Sequence, residues 1–468
     1  MLNKNIAKKT LNYSLPGMIA TGLPILTIPI YTTYIPPKDY GLYAISIALG
    51  TILSGLPSLG LVNFFERKFF TVEIHQRESL LFTYLIVYSI LFFPIFIITG
   101  VILFQFNLNL FGVDFSNYKL LLMGMIFSSF LANVKTLYLT FLKNYDNHKL
   151  HGIVSSSDPI LYAIISLFFL LIGKFGIFSL VLGQVLALMF LLVYLTIKII
   201  DNNYIIKLEI KPVLKDIKIS SGLIPRSFGG MLSAHLDKII LTSIFDASTL
   251  GIYSIGQRIG MANFSLITSF YNIKSAEILE LMFESKGNRE AIEKSIILPL
   301  ILASTLSILA VSFSGIFTYF FLPFEYQGSV SIINIFITLS FVYFFTKIPQ
   351  LLFGNKTLII SLLSYLSIII SSILCYIFGQ NFGYISAAYG VLIGGIILTI
   401  LTFIIGQKSY LISYPKPLVF ISITSLLLSL LSDNILESNF LLFFIKPILG
   451  VCSVILIWLL FGRKNVSQ

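Results

Sequence analysis

The sequence predicts an all-α polytopic membrane protein of about fourteen transmembrane helices, built as two pseudo-symmetric six-helix lobes followed by a helical hairpin. Composition predicts it first. Charged residues make up 11% of the 468 and hydrophobic residues 57%, whereas soluble domains carry about 25% charge. So much apolar surface cannot be hidden in a water-soluble core of this size, which also excludes fibrous, disordered and disulfide-rich classes. Apolar runs of spanning length recur along the chain, and segments about half a chain apart repeat one another.

A spanning helix needs about 20 mostly apolar residues. Lys4, Lys8 and Lys9 precede an apolar stretch, as in a signal peptide. That stretch is too long, contains Pro16, Pro24 and Pro29, and lacks a clear small-residue cleavage site, so 11–34 is expected to be an uncleaved first span. Runs at 41–65, 79–104, 118–142, 153–173 and 176–199 follow between charged or turn-rich breaks. Six more are expected at 219–246, 249–272, 294–321, 329–352, 356–378 and 383–406, and the hairpin at 414–432 and 440–461. The runs are continuously apolar instead of alternating, which excludes barrel strands. Cys375 and Cys452 lie in such runs and read as small buried hydrophobes, not as a bridge or a metal site.

Charge sets the orientation. With the amino terminus in the cytoplasm, inner segments and inner span ends hold 23 of the 31 Lys and Arg. The outer side holds Lys38, Lys119 and Lys174, and Lys135, Arg226, Lys238, Arg258 and Lys446 lie within spans. The net charge of +11 is therefore mostly orientation charge, and no nucleic-acid partner is expected. Both termini fall inside. On the inner side, 200–218 places Lys207, Lys211, Lys215 and Lys218 on one helical face and Ile206, Ile210, Leu214 and Ile217 on another. A basic helix on anionic lipid and an ordinary solvated linker share that pattern.

Asp39-Tyr40-Gly41-Leu42-Tyr43-Ala44-Ile45 opens the second span, and Thr249-Leu250-Gly251-Ile252-Tyr253-Ser254-Ile255 opens the eighth, 210 residues on; Gly50 and Gly260 keep the register. Phe175-Gly176-Ile177-Phe178-Ser179 is echoed by Phe382-Gly383-Tyr384-Ile385-Ser386 at an offset of 207. Six spans separate the copies, an even number, so the halves run parallel about an axis along the membrane normal. The expected domains are lobes at 1–205 and 206–412 and a hairpin at 413–468, with alternating access between the lobes.

The Tyr40-Gly41-Leu42-Tyr43 opening, and Asp237-Lys238-Ile239-Ile240-Leu241 followed by Leu250-Gly251-Ile252-Tyr253-Ser254, resemble Wzx-type polysaccharide flippases of the MATE/MOP exporter superfamily. The resemblance covers spans one to twelve at least, and implies the MOP flippase fold. It also implies translocation of undecaprenyl-diphosphate-linked oligosaccharide repeat units (O-antigen, capsule or exopolysaccharide) across the bacterial cytoplasmic membrane, coupled to H+ or Na+ and without a cofactor. Membrane lipids, a glycan polymerase and chain-length machinery are the further partners it suggests.

An ionised side chain in mid-membrane costs roughly 2.5–3.5 kcal/mol on insertion scales, so each needs a reason. Arg226, Arg258, Lys238, Lys135 and Arg67 are the candidates for binding a lipid diphosphate, which needs fixed positive charge along its path; Arg offers a planar fork that matches phosphate oxygens. Asp237, His235 and Asp158 are the candidates for ion coupling. Structural alternatives stand beside these roles. An Arg258–Asp237 pair would only hold spans seven and eight together, and Arg226 and Lys135 would snorkel to the inner surface. Asp158, between Ser155-Ser156-Ser157 and Pro159, would cap a broken helix near that surface. Lys446 would be an outer interfacial anchor. Asn63, Asn133, Gln184, Gln257, Asn263 and Asn334 suit either a wet interior or interhelical bonding.

A multidrug exporter of the same superfamily is the nearest rival, but such transporters generally bind cations through carboxylates in the first lobe, often in span one, and 11–34 contains no Asp or Glu. A lipid II flippase carries arginines in spans one, two and eight; Arg67 and Arg258 match, and nothing basic matches in span one. A membrane-embedded glycan polymerase needs positioned acid–base groups outside, and the outer loops hold no His and no Arg. No HExxH, phosphate loop or Cys/His cluster occurs, so no catalytic residue and no metal site is expected. The orientation is testable. Single cysteines at Asn107, Asp246 and Glu437 should react with impermeant reagents from outside, and those at His148 and Asn288 only from inside; outside labelling at Asn288 would overturn the topology.

Overall fold

The computed structural model describes residues 4–58, 60–106, 109–110, 113–200, 213, 224–283, 289–347, 350, 357–436 and 440–462. The labelling positions Asn107, Asn288 and Glu437 and the lysine-rich stretch 201–218, Val213 excepted, lie outside the described residues. The rest is almost wholly helical, as a bilayer requires: with no water available, each backbone N–H and C=O must be satisfied within its own segment or in a closed barrel. The first helices are α1 (Lys4–Tyr34), α2 (Pro37–Gly55), α3 (Leu61–Phe69), α4 (Arg77–Gln105), α5 (Lys119–Asn144), α6 (His148–Leu171) and α7 (Phe178–Ile199). They continue with α8 (Ile224–Thr242), α9 (Ala247–Phe283), α10 (Arg289–Phe321), α11 (Val330–Val342), α12 (Thr357–Phe382), α13 (Tyr384–Ser409), α14 (Lys416–Leu436) and α15 (Phe440–Ile457). A two-residue antiparallel pairing, Asn109–Leu110 with Val113–Asp114, sits between α4 and α5.

Among the described residues, nine helical stretches are long and apolar enough to cross a membrane, and two shorter apolar helices, Lys416–Leu431 and Ile445–Phe461, lie in the hairpin. The expected first, seventh and eighth spans are not among the nine. The seventh, α8, carries Arg226, His235, Asp237 and Lys238, which lower its mean hydropathy. Outward faces are apolar, with Ile97, Ile164, Phe168, Phe190 and Ile197 all exposed. Cys375 is buried, but Cys452 is exposed, because it lies on the outward face of α15.

Two expected spans differ in detail. Span two is not continuous over 41–65: α2 ends at Gly55, a 3₁₀ turn covers Leu56–Ser58, and α3 restarts after Gly60, whose φ is 73°. Pro57 cannot donate to the ladder, and Gly60 takes the left-handed conformation without a side-chain penalty. Span eight runs past 272, since α9 has 37 residues, about 55 Å at 1.5 Å per residue, against a hydrocarbon layer of about 30 Å. In this extension beyond 272 burial opposes ionisation of Glu277, but hydrogen bonds from Lys274 (2.7 Å) and Ser295 (2.6 Å) outweigh it and hold the carboxyl below its ordinary range.

The chain forms two compact units, Tyr34–Gly251 and Met1–Thr33 with Ile252–Gln468. These boundaries follow proximity and differ from 1–205, 206–412 and 413–468, which follow the sequence repeat. In the unit Met1–Thr33 with Ile252–Gln468, Leu300, Ile308 and Val311 of α10 share a core with Leu418 and Leu426 of α14 and Ile457 of α15. Ser422 donates to Ser304 (2.8 Å) and the Trp458 indole to Thr305 (3.2 Å), so the hairpin is tied to α10.

In Tyr34–Gly251, α2 packs on α5 and α8, and the stacked rings of Phe92 and Phe130 (4.2 Å) join α4 to α5. The repeat motifs meet here. A Cβ on Gly41 would overlap the Ala247 carbonyl, and a Cβ on Gly251 would overlap that of Pro37. Each glycine thus faces the residue four before its counterpart, a reciprocal contact of the kind a two-fold axis generates. The second echo also has a shared backbone reason: Gly176 (φ 55°) and Gly383 (φ 91°) both take left-handed conformations just before α7 and α13. Gly41→Ala and Gly251→Ala should each destabilise the purified protein by about 1–3 kcal/mol in thermal unfolding, as overpacking does. Gly22→Ala, whose added Cβ meets nothing within 4 Å, should be neutral or slightly stabilising; equal behaviour of the three would remove the close-contact argument.

Candidate functional site

Within Tyr34–Gly251, α5 and α6 run antiparallel through a short turn, and Asn147 caps α6 by accepting the Leu150 N–H (3.2 Å). Asp158 is therefore not the cap of a broken helix near the inner surface. It lies ten residues into an unbroken helix, and its Oδ2 accepts a hydrogen bond from Lys135 Nζ of α5. Lys135 pairs sideways within the membrane and does not snorkel. An ammonium and a carboxylate that separately cost several kcal/mol to bury offset one another when paired.

Hydroxyls and amides of five helices in this unit are also bonded to one another. Tyr162, one turn beyond Asp158, brings its hydroxyl within 3.4 Å of the Tyr43 hydroxyl on α2. Asn133 donates to Ser54 Oγ (3.2 Å) and to the Tyr88 hydroxyl (3.0 Å), and Tyr88 donates to the Ser54 carbonyl (2.8 Å). On the opposite edge of α5, Tyr138 and Thr196 of α7 are 2.7 Å apart. At the C-terminal end of α5 Lys143 holds Glu66 at 3.0 Å, and Arg77 stacks on Phe69 at 4.4 Å. The tyrosines were not among the expected site residues, because a tyrosine in an apolar run has no periodic signature that separates a bonded hydroxyl from an aromatic filler.

On α8, Asp237 is buried and accepts the Lys238 backbone N–H (2.8 Å), with Lys238 Nζ at 3.8 Å from the same oxygen. Lys238 Nζ also reaches the Ala234 carbonyl at 3.5 Å. His235 Nδ1 is buried without a hydrogen-bond partner among the described residues. Arg226 lies in α8 and Arg67 and Asn63 in α3; their side chains lie outside the described residues.

Arg258 belongs to the other unit, part-buried on α9. Asn263 donates to Ser307 (2.9 Å), linking α9 to α10, and Ser314 donates to Asn334 (2.6 Å), linking α10 to α11. These amides bond helices together, as Asn133 does. Lys347 stacks on Phe264 at 4.3 Å. Lys446 is buried on α15, against the expectation of an interfacial anchor. Among the described residues no three His, Cys, Asp or Glu side chains converge as metal ligands.

A bundle of long apolar helices, broken at span two and holding ion pairs and polar bridges inside its spans, defines a multi-pass membrane protein. Its fold is that of membrane flippases and transporters. The lipid II flippase MurJ in an inward closed conformation superposes with a TM-score of 0.72 at 14% identity, covering 99% of this chain and 100% of that one. An inward-facing multidrug resistance MATE family transporter of the MOP superfamily gives 0.56 at 16%, covering 86% and 94%. A MOP superfamily transporter from Pyrococcus furiosus, whose binding pocket is described as of reverse polarity, gives 0.53 at 17%, covering 86% and 95%. Among curated proteins none matches the sequence. The model of the polysaccharide biosynthesis protein family matches residues 6–272. The chain belongs to that family.

The Asn133 bridge makes a local prediction. Tyr88→Phe removes one donor and one acceptor and should cost about 1–3 kcal/mol, because the Asn133 amide is left short of a partner. Tyr88→Phe/Asn133→Leu should recover part of that loss in thermal unfolding. Strict additivity of the two single changes would show that no bridge exists.

Proposed function

We propose that this protein is a flippase that moves undecaprenyl-diphosphate-linked oligosaccharide units across the bacterial cytoplasmic membrane by alternating access of the lobes 1–205 and 206–412, with both termini in the cytoplasm. The hairpin 413–468 is an addition to the second lobe. The observation that carries the reading is the sign of the charge within the spans: Lys135, Arg226, Lys238 and Arg258 against Asp158 and Asp237. A surplus of fixed cations suits an anionic substrate and opposes a cationic drug. Membership of the polysaccharide biosynthesis family supports a glycan-bearing lipid, and the MurJ-like fold supports a flippase.

Arg226 and Arg258 are proposed to contact the diphosphate at different depths, with Lys238 and Arg67 along the same path. Asp237 and His235 are proposed to carry the coupling ion, H+ or Na+. Membrane lipid, a glycan polymerase and chain-length machinery are the proposed partners. Arg→Lys keeps the charge but loses the planar fork, whereas Arg→Gln loses the charge. Lys variants at 226 and 258 should retain substantial export and Gln variants little, measured by surface-glycan complementation in a strain lacking its own flippase. Full export by Arg226→Gln together with recovery of export and stability in Arg258→Gln/Asp237→Asn would refute the proposed substrate contacts.

A further inference from the structure

The Lys135–Asp158 pair is seated where an ion pair serves poorly as scaffold. Lys135 precedes the C-terminal end of α5 by nine residues and Asp158 follows the N-terminal end of α6 by ten, so both lie about 14 Å from those helix ends at 1.5 Å per residue, inside helices long and apolar enough to cross a membrane. Among the described residues, the Lys135 ammonium has one acceptor, Asp158 Oδ2, and Asp158 Oδ1 accepts no hydrogen bond. Among the described residues, two N–H groups and one carboxylate oxygen therefore remain for a further partner. Neither side chain is sealed by packing, with 17% of Lys135 and 24% of Asp158 exposed. A buried pair repays its desolvation only when its remaining protons and lone pairs are satisfied.

We propose that Lys135 is an anion-binding residue held half-open by Asp158: its free N–H groups take an anionic oxygen group of the translocated molecule in mid-membrane, while Asp158 aims the ammonium and weakens the grip enough for release. This rests on the proposed function, in which the translocated molecule is anionic. The shared chemistry, a phosphate or carboxylate oxygen, has two sources, the diphosphate of the lipid carrier and an acidic sugar of the glycan. Transport needs a site that binds well enough to fill and weakly enough to empty, and a carboxylate beside the bound anion supplies the weakening through like-charge repulsion.

The test uses the purified full chain in detergent with two probes, farnesyl diphosphate and a glucuronate-containing oligosaccharide without phosphate, alongside thermal stability and surface-glycan complementation. Lys135→Gln should weaken binding of one probe about tenfold or more, and the affected probe identifies the source. Asp158→Asn should tighten that same probe severalfold and still lower export. Each single change leaves one charge unpaired and should reduce stability, so Lys135→Gln/Asp158→Asn is the deciding variant. It should regain stability but neither probe binding nor export. Recovery of binding and export together with stability would make the pair a scaffold and overturn the inference, with the flippase reading intact. Wild-type protein that binds neither probe would overturn both.

Discussion

A hydrocarbon layer hydrates nothing, and the structure depends on that constraint throughout. Backbone groups in it must be satisfied along their own segment, so the chain is helical wherever it is apolar and breaks only where a residue cannot keep the ladder. Gly55, Pro57 and Gly60 interrupt span two at a buried 3₁₀ turn. The same constraint selects the ionised side chains: Lys135 meets Asp158 and Lys238 lies beside Asp237, because an unpaired charge at that depth would have no solvent to spread into.

Helices in lipid also gain little from hydrophobic association, since their surroundings are as apolar as their surfaces; close approach and interhelical hydrogen bonds hold them together. Small residues stand at the closest contacts. Gly41 and Gly251 let α2 and the first turn of α9 touch backbone to backbone. Ser304–Ser422, Asn263–Ser307 and Ser314–Asn334 are short side-chain bridges between helices whose other contacts are aliphatic. Asn133, Asn263 and Asn334, which could have lined a wet cavity, are thereby engaged between helices.

The charge inventory links fold to family. A polysaccharide biosynthesis family member with the fold of a lipid II flippase and of MATE transporters carries more cations than anions inside its spans. The acids it retains are each within reach of a lysine. The proposed anionic cargo is consistent with that surplus of cations, two of which, Lys135 and Lys238, stand beside an acid.

Sequence alone determined the helical membrane class and the helix boundaries to within a few residues for most helices. Both depend on local hydropathy or on residue identity at a fixed spacing, which a chain carries without being folded. Tertiary structure decided which charges meet. Lys135 and Asp158 are 23 residues apart on different helices, and whether they face each other depends on the rotation of α5 and α6 about their axes, which packing sets and no periodicity records. It likewise turned Cys452 outward and Lys446 inward on one helix, and engaged Asn133 with Tyr88 and Ser54. An apolar run announces that a helix crosses the membrane; only its neighbours determine which side of it each residue serves.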